Sequence, residues 1–353
     1  MILDKLTYEQ CIAQGVGPMV FPARLEKGFD PDHSAQMKMV CVHNMQQQVK
    51  LQHTLSVAWS ALTKAGIRPV LMKGAGLAAL YPEPSYRTWG DIDLFVGIDQ
   101  YHPACAVMRD TFPDALKFDE ELDHYKHYNL IADGISIEIH RVSIGFQHPI
   151  DARRYAKMEA YGMTNAIPIT NHQSPITLTV PEPTFNALFV MLHSWEHMMT
   201  QGANLRQILD LTLLLHHYAD CIDRKRLKTY LQDLHVMDVW QLYMWMAVNA
   251  LDLAENEAPF YEKGESIERR AKSLLHDLLN GKMVSKIANR ESKIENRKSL
   301  IANRFIRKWH TMKERLGNAD RIGKYSPEYG RHMKAETLMH GALRLFAKDR
   351  HWE

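Results

Sequence analysis

Little in this 353-residue chain classifies it quickly, and the gaps are informative. It has four cysteines, Cys11, Cys41, Cys105 and Cys221, and no CxxC pair among them. That pattern argues against a disulfide scaffold or a thiolate metal site and fits a reducing compartment, so no disulfide partner is expected. No apolar run approaches the roughly 18 residues of a membrane-spanning helix, and no membrane partner is expected. The opening residues, Met1-Ile2-Leu3-Asp4-Lys5, lack a basic segment ahead of an apolar one, which points to a cytoplasmic protein. Repeats and low-complexity tracts are missing too.

What is present is an ordinary globular composition, 46% hydrophobic and 24% charged. At this length two domains are the natural expectation. The formal net charge of +2 conceals an asymmetry: of 43 basic and 41 acidic residues, 18 and 8 lie from Lys282 onward, leaving 25 and 33 before it. A basic end on an acidic body suits either a polyanion-binding face or a solvated helical surface. The second is preferred, because Glu291, Glu295 and Glu314 interrupt the basic residues.

Helical periodicity runs through residues 34–66, with Met37, Cys41, Met45, Val49, Leu55, Ala58, Trp59 and Leu62 recurring and Gly66 as a stop. A β-rich run follows at 67–72, then a small-residue turn and a short helical pattern at 77–81. Pro82 and Pro84 mark a loop, residues 92–96 a second strand, and residues 103–109 the start of a helix. Residues 128–132 and 135–139 read as strands joined by Asp133-Gly134, a hairpin signal. Beyond residue 145 four helices are expected, at 185–199, 205–218, 224–234 and 239–253, without strands between them. Residues 266–316 continue as basic amphipathic helix, 317–331 as a glycine-rich loop, and 334–346 as a last helix. The expected division is an N-terminal segment (1–33), an α/β sheet domain (34–145) and a mainly helical domain with a basic C-terminal segment (146–353).

Chemistry concentrates in "LMKGAGLAALYPEPSYRTWGDIDLFV", residues 71–96. Side chains alternate along a strand, so Asp91 and Asp93 share one face while Ile92 and Leu94 take the other. Two such carboxylates repel unless a cation lies between them. Mg²⁺ suits oxygen ligands and recruits substrate phosphates. In "ISIEIH", residues 135–140, Glu138 stands in the same alternating relation, which completes a minimal acid set for two-metal phosphoryl transfer. Glu138 facing solvent, with Asp133 or His140 lining the site instead, is the alternative. Upstream, Lys73, Gly74, Ala75 and Gly76 occupy a strand-to-helix turn, where glycines allow close backbone approach and N–H groups favour an anion. Lys73 adds a positive charge. Arg87 is placed to reach the same phosphates or to pair with Asp91 or Asp93.

These stretches resemble the uncharacterised bacterial nucleotidyltransferase family of the polymerase-β superfamily. Its members read Leu-Lys-Gly, Leu-Tyr-Pro, Arg, Gly-Asp-Ile-Asp-Leu, and later a Glu-Leu-His strand. "LFVMLHSWEHMM" and "LRQILDLTLLL", from residues 188 and 205, are similar to its His-containing and Arg/Asp helices. The resemblance covers roughly residues 40–220. It implies an α+β fold, a polymerase-β-like nucleotidyltransferase mixed sheet domain with a larger helical domain. It also implies Asp91, Asp93 and Glu138 as ligands of Mg²⁺ (two ions, with Mn²⁺ as a substitute). A nucleoside triphosphate is implied on the 73–76 turn, with its nucleoside monophosphate passing to an acceptor hydroxyl and pyrophosphate released. The acceptor is open between a small molecule, a sugar and RNA. One departure stands out: Gly74-Ala75 replaces the Gly-Ser of better-known members, removing a hydroxyl ligand. That motivates a non-catalytic nucleotide-binding or interaction module as an alternative, and the basic C-terminal segment motivates an RNA-modifying toxin-like enzyme.

Other residues have plainer readings. His193 and His197 are four apart, but Glu196 does not fit the HExxH order, so a histidine pair bridging the helical region to the site is expected. Arg206 and Asp210 fit an internal ion pair. Trp240, Tyr243 and Trp245 read as core, and Trp309 as packing rather than base stacking.

Overall fold

A computed structural model describes residues 1–24, 29–118, 122, 124–146, 148–170, 176–200, 202–281 and 316–346. The basic stretch 282–315, with Trp309, lies outside the described residues.

The longest helix, α3 (Pro31–Lys64), follows the short helices α1 (Tyr8–Ala13) and α2 (Gly17–Arg24). Asp30 caps α3 by accepting from the Asp32 and His33 amides, and Pro31 fits its first turn, where no N–H is needed. Strand β1 (Val70–Met72) leads into the one-turn helix α4 (Gly74–Ala78), then β2 (Asp91–Phe95) and α5 (Gly97–Thr111). β3 (Leu116–Lys117), β4 (His127–Ala132) and β5 (Ile135–His140) complete a five-stranded sheet ordered β1-β2-β5-β4-β3. Only the β2–β5 pair is parallel. The β4–β5 hairpin turns where expected: Asp133 and Gly134 both have positive φ, 50° and 78°, as a two-residue primed turn demands.

The pleat sorts the sheet into two faces. Ile92, Leu94, Tyr128, Leu130, Ile137 and Ile139 pack with Leu51, Leu55, Ala58, Trp59 and Leu62 of α3 and Tyr101, Cys105 and Met108 of α5. Asp91, Asp93, Glu138, His140 and His127 take the opposite face. Register fixes this arrangement, since Asp93 lies directly across from Glu138, and His127 from His140.

The residues from 146 to 184, to which the periodicity assigns no element, form α6 (Pro149–Thr164) and a second hairpin of β6 (Ile167–Thr170) and β7 (Thr177–Val180). Thr179 donates from Oγ1 to the Pro69 carbonyl at 3.0 Å, tying this hairpin to the chain just ahead of β1. Four-residue strands, one containing Pro168, carry too little alternation to read as strands. The helices α7 (Pro183–Thr200), α8 (Leu205–His217), α9 (Arg224–Asp233) and α10 (Met237–Leu251) match the expected four within two residues. Every residue from Val239 to Ala247 is buried, Trp240, Tyr243 and Trp245 included. An all-round apolar helix belongs at the centre of a core, and α10 contributes to the larger of two apolar clusters. After α11 (Glu265–Leu279) come α12 (residues 316–323) and α13 (Pro327–Phe346).

One expectation is corrected here. Residues 317–331 are not a loop: apart from the turn at 324–326 they belong to α12 and α13. Gly330 is there for close packing, since a Cβ on it would lie 2.6 Å from the Gly323 Cα and 3.0 Å from the Ala319 carbonyl oxygen. Gly330→Ala is therefore expected to destabilise the α12–α13 contact by about 1–3 kcal/mol. Amide exchange would show the loss as faster exchange confined to 316–346; unchanged protection would contradict it. The N-terminal residues contact the rest of the chain. The Gln14 side chain accepts from the Leu205 amide (2.8 Å) and donates to the Leu278 carbonyl (3.1 Å), and the Gly15 carbonyl accepts from Thr88 Oγ1. Among the described residues no helix is long and apolar enough to cross a membrane, and none of the four cysteines is in a disulfide.

Candidate active site

β2 presents its acids at the centre of the sheet, between β1 and β5. Asp93 is fully buried, and Asp91 and Glu138 are partly exposed. One oxygen from each of Asp91, Asp93 and Glu138 lies within 4.8 Å of the others. Each Asp93 oxygen faces a nitrogen: Oδ2 lies 3.0 Å from Lys73 Nζ, and Oδ1 accepts from His140 Nε2 at 3.0 Å. His140 Nε2 is also 3.1 Å from Glu138 Oε2.

The electrostatics follow from these contacts. Burial works against the Asp93 carboxylate, but Lys73 and His140 outweigh it and hold the group far below the usual carboxylate range. Among the described residues Asp91 forms no ion pair, and the Asp93 charge together with burial outweighs Lys73 and raises its carboxyl from its ordinary value. Burial would lower Lys73 and His140, yet the surrounding carboxylates raise both. Glu138 would likewise be raised by burial, and His140 brings it below its usual value. Asp93 and Glu138 thus already have cationic partners in Lys73 and His140.

Lys73 reaches this position through an unusual backbone. Its φ of 56° and ψ of −140° are outside the ordinary regions for a side-chain-bearing residue, a conformation costing about 1–3 kcal/mol. The Lys73 carbonyl accepts from the Gly76 amide at 2.9 Å, and Arg87 Nη1 donates to the Gly74 carbonyl at 3.2 Å. Together with the Asp93 ion pair, these contacts fix the turn. Gly74 itself has a φ of +47°, and a Cβ there would come within 3.1 Å of the Trp89 ring. At Gly76 a Cβ would meet Val180 Cγ1 at 2.8 Å, so the close approach these glycines permit is to Trp89 and β7. Ala75 is buried in the sheet core and does not line the cavity beside the acids.

That cavity, of about 120 Å³, opens between the acids and helices α7 and α8, with Lys73, Trp89, Asp91, His193, Arg206 and Asp210 in its wall. His193 bridges as expected: Lys73 Nζ donates to its Nε2 at 3.2 Å, and the His197 Nε2 is 3.0 Å further on. Burial, then the Lys73 charge, lowers both imidazoles, His193 well below its ordinary value. Arg87 does not pair with Asp91 or Asp93. It forms a bidentate pair with Asp210, Nε to Oδ1 at 2.7 Å and Nη2 to Oδ2 at 2.9 Å, both side chains buried. Tyr81 Oη donates to the same carboxylate at 2.8 Å, and the expected Arg206–Asp210 pair closes at 3.5 Å.

The sequence reading gives no role to Trp89, which lines the cavity, or to Tyr81 and His127, although Trp89 stands inside the 71–96 stretch and Tyr81 within the Leu-Tyr-Pro element. His127 Nε2 lies 3.9 Å from Glu138 Oε2, and burial lowers it to about 4.

The sequence profile of a family described as uncharacterised nucleotidyltransferase matches residues 4–252. The match begins well ahead of residue 40, in keeping with the contacts of Gln14 and Gly15. A solved structure of an antigenic nucleotidyltransferase-like protein from Paracoccidioides brasiliensis is similar at 17% identity, over 60% of this chain and 94% of that one, with a TM-score of 0.37. A score that low leaves the two folds unequated. No curated protein matches the chain.

Proposed function

The chain belongs to the family of uncharacterised nucleotidyltransferases, and from that premise we propose that it transfers a nucleoside monophosphate from a nucleoside triphosphate to an acceptor hydroxyl in a polymerase-β-like sheet domain. The observation that carries the reading is the convergence of Asp91, Asp93 and Glu138 within 4.8 Å on one sheet face. Three carboxylates of which one, Asp91, is left without a cation fit a divalent ion of the Mg²⁺ or Mn²⁺ class. When bound, such an ion supplies charge neutralisation for the triphosphate and the leaving pyrophosphate.

The protein's own groups do the rest. Lys73, already beside the acids, is the cation within reach of triphosphate oxygens. His193 takes a hydrogen bond from Lys73 without competing for its carboxylate, and His197 backs His193. Arg87 acts indirectly, since Asp210 engages its guanidinium and its Nη1 holds the Gly74 carbonyl of the turn. Of the two acids suited to accept the acceptor's proton, Asp93 has no exposed surface, whereas the Glu138 side chain is 23% exposed; Glu138 is assigned that role. The buried Ala75 methyl removes some force from the non-catalytic alternative, because the side chain at that position faces the core.

The test uses each triphosphate labelled either at the α- or at the γ-phosphorus, incubated with the protein and a cell extract. Nucleotidyl transfer leaves α-label on an acceptor and releases γ-label in pyrophosphate. Equal labelling by wild type and an Asp91→Ala/Asp93→Ala variant, or transfer of γ-label alone, would overturn the proposal.

A further inference from the structure

A second cluster of metal-ligand side chains lies away from the sheet, where α13 meets the start of α6. His148 precedes α6 and Asp151 is in its first turn; His332 and Glu336 are one turn apart on α13. Each helix thus offers two donors at one-turn spacing, the way facing helices of bundles build metal sites. His332 Nε2 is 2.8 Å from Asp151 Oδ2 and 2.9 Å from Glu336 Oε1. His148 Nδ1 is 3.1 Å from Glu336 Oε1 and 3.6 Å from Asp151 Oδ2. Arg154 Nη1 touches the other Asp151 oxygen at 3.6 Å, and the His235 ring lies tilted against His332 with centroids 4.3 Å apart.

Hydrogen bonding alone does not satisfy this arrangement. His332 Nε2 carries at most one proton, yet two carboxylate oxygens stand within 2.9 Å of it. Glu336 Oε1 is shielded from solvent, and two ring nitrogens converge on it. His148, Asp151 and Glu336 offer donor atoms within 4.8 Å of one another, and His332 adds a fourth donor beside two of them. Four of the six separations within this set, 2.8 to 3.6 Å, bracket the roughly 3.3 Å edge of a tetrahedron with bonds of about 2.0 Å. Two imidazoles with two carboxylates suit Zn²⁺ and its transition-metal neighbours, whereas Mg²⁺ and Ca²⁺ favour oxygen alone. His148 and Asp151 are buried, while His332 and Glu336 keep 19% of their side-chain surface, which leaves an entry path.

We propose that His148, Asp151, His332 and Glu336 bind one Zn²⁺-class ion that clamps α13 to the start of α6. Its role is structural, because four protein ligands leave no open position for a substrate. The site is independent of the sheet acids and of the transfer reaction assigned to them.

The test strips the full-length protein with a chelator and titrates it with Zn²⁺ in excess Mg²⁺, reading stoichiometry by elemental analysis. One Zn²⁺ per chain is expected, retained in Asp91→Asn/Asp93→Asn and lost in His332→Gln/Glu336→Gln. Co²⁺ in the wild type is expected to show the visible bands of a four-coordinate site, and zinc to protect residues 316–346 from proteolysis. His148→Gln provides a milder variant should the double substitution fail to fold. His148 makes no side-chain cap to α6, so an at least tenfold weaker affinity in a folded protein is expected there. No zinc bound at micromolar concentration, or zinc binding unaffected by His148→Gln, would overturn the proposal. So would zinc lost with the sheet acids.

Discussion

Replacing Asp91 by Asn is expected to cut nucleotidyl transfer about a thousand-fold and, in EDTA, to raise the melting temperature at neutral pH. The first effect is the rate equivalent of roughly 4 kcal/mol, the scale on which a metal ion stabilises transition-state charge. The second comes from repulsion. Asp93 and burial lift the Asp91 carboxyl above the value it has in an unfolded chain, so the folded state holds that proton more tightly than the unfolded state does. Stability from this group is therefore present in acid and lost as pH rises through the folded value. Asparagine removes the repelled charge, so its gain appears above about pH 4 and vanishes below it. Melting curves across pH in EDTA read the effect directly. A variant that melts lower than wild type at pH 7 would show that Asp91 is not under repulsion. Full transferase activity in the variant would remove it from the proposed metal set.

Arg87→Met is expected to cost about 3–5 kcal/mol, because it strands Asp210 as a buried charge. Arg206 at 3.5 Å and Tyr81 at 2.8 Å remain with the carboxylate but do not replace two short guanidinium bonds. The Gly74 carbonyl also loses its donor, so the strained turn at Lys73 loosens and transferase activity falls with stability. Arg87→Met/Asp210→Leu removes both charges and is expected to recover part of the loss. Chemical denaturation followed by helical circular dichroism measures both, together with the Asp210→Leu single variant. A double variant as unstable as the sum of the singles would mean that the pair is not the source.

Much of the site's layout was legible because strand periodicity is a local property. Asp91 and Asp93 share a face by virtue of two-residue spacing, and Asp133-Gly134 sets the hairpin that brings Glu138 into register. Partners distant in sequence leave no such trace. Arg87 and Asp210 stand 123 residues apart, and neither residue names the other; proximity in sequence suggested Asp91 and Asp93 instead. Glycine misled for a related reason. Gly330 signals a turn by composition, but its purpose is contact with Gly323, a fact about another helix. The β6–β7 hairpin was missed because its four-residue strands owe their stability to each other and to their anchoring at Pro69 rather than to their own pattern.

Lys73 gives the site a built-in occupant. With its ammonium 3.0 Å from Asp93 Oδ2, the carboxylates are part-neutralised before any ion or nucleotide arrives. Cation binding is then an exchange, in which the ion displaces a tethered competitor whose effective concentration never falls. Apparent affinity for the ion alone is held down by that competition. A triphosphate changes the balance, because it offers the released ammonium an anionic partner of its own. Ion and nucleotide would thus enter as a cooperative pair, and the site would stay closed to metal until substrate is at hand.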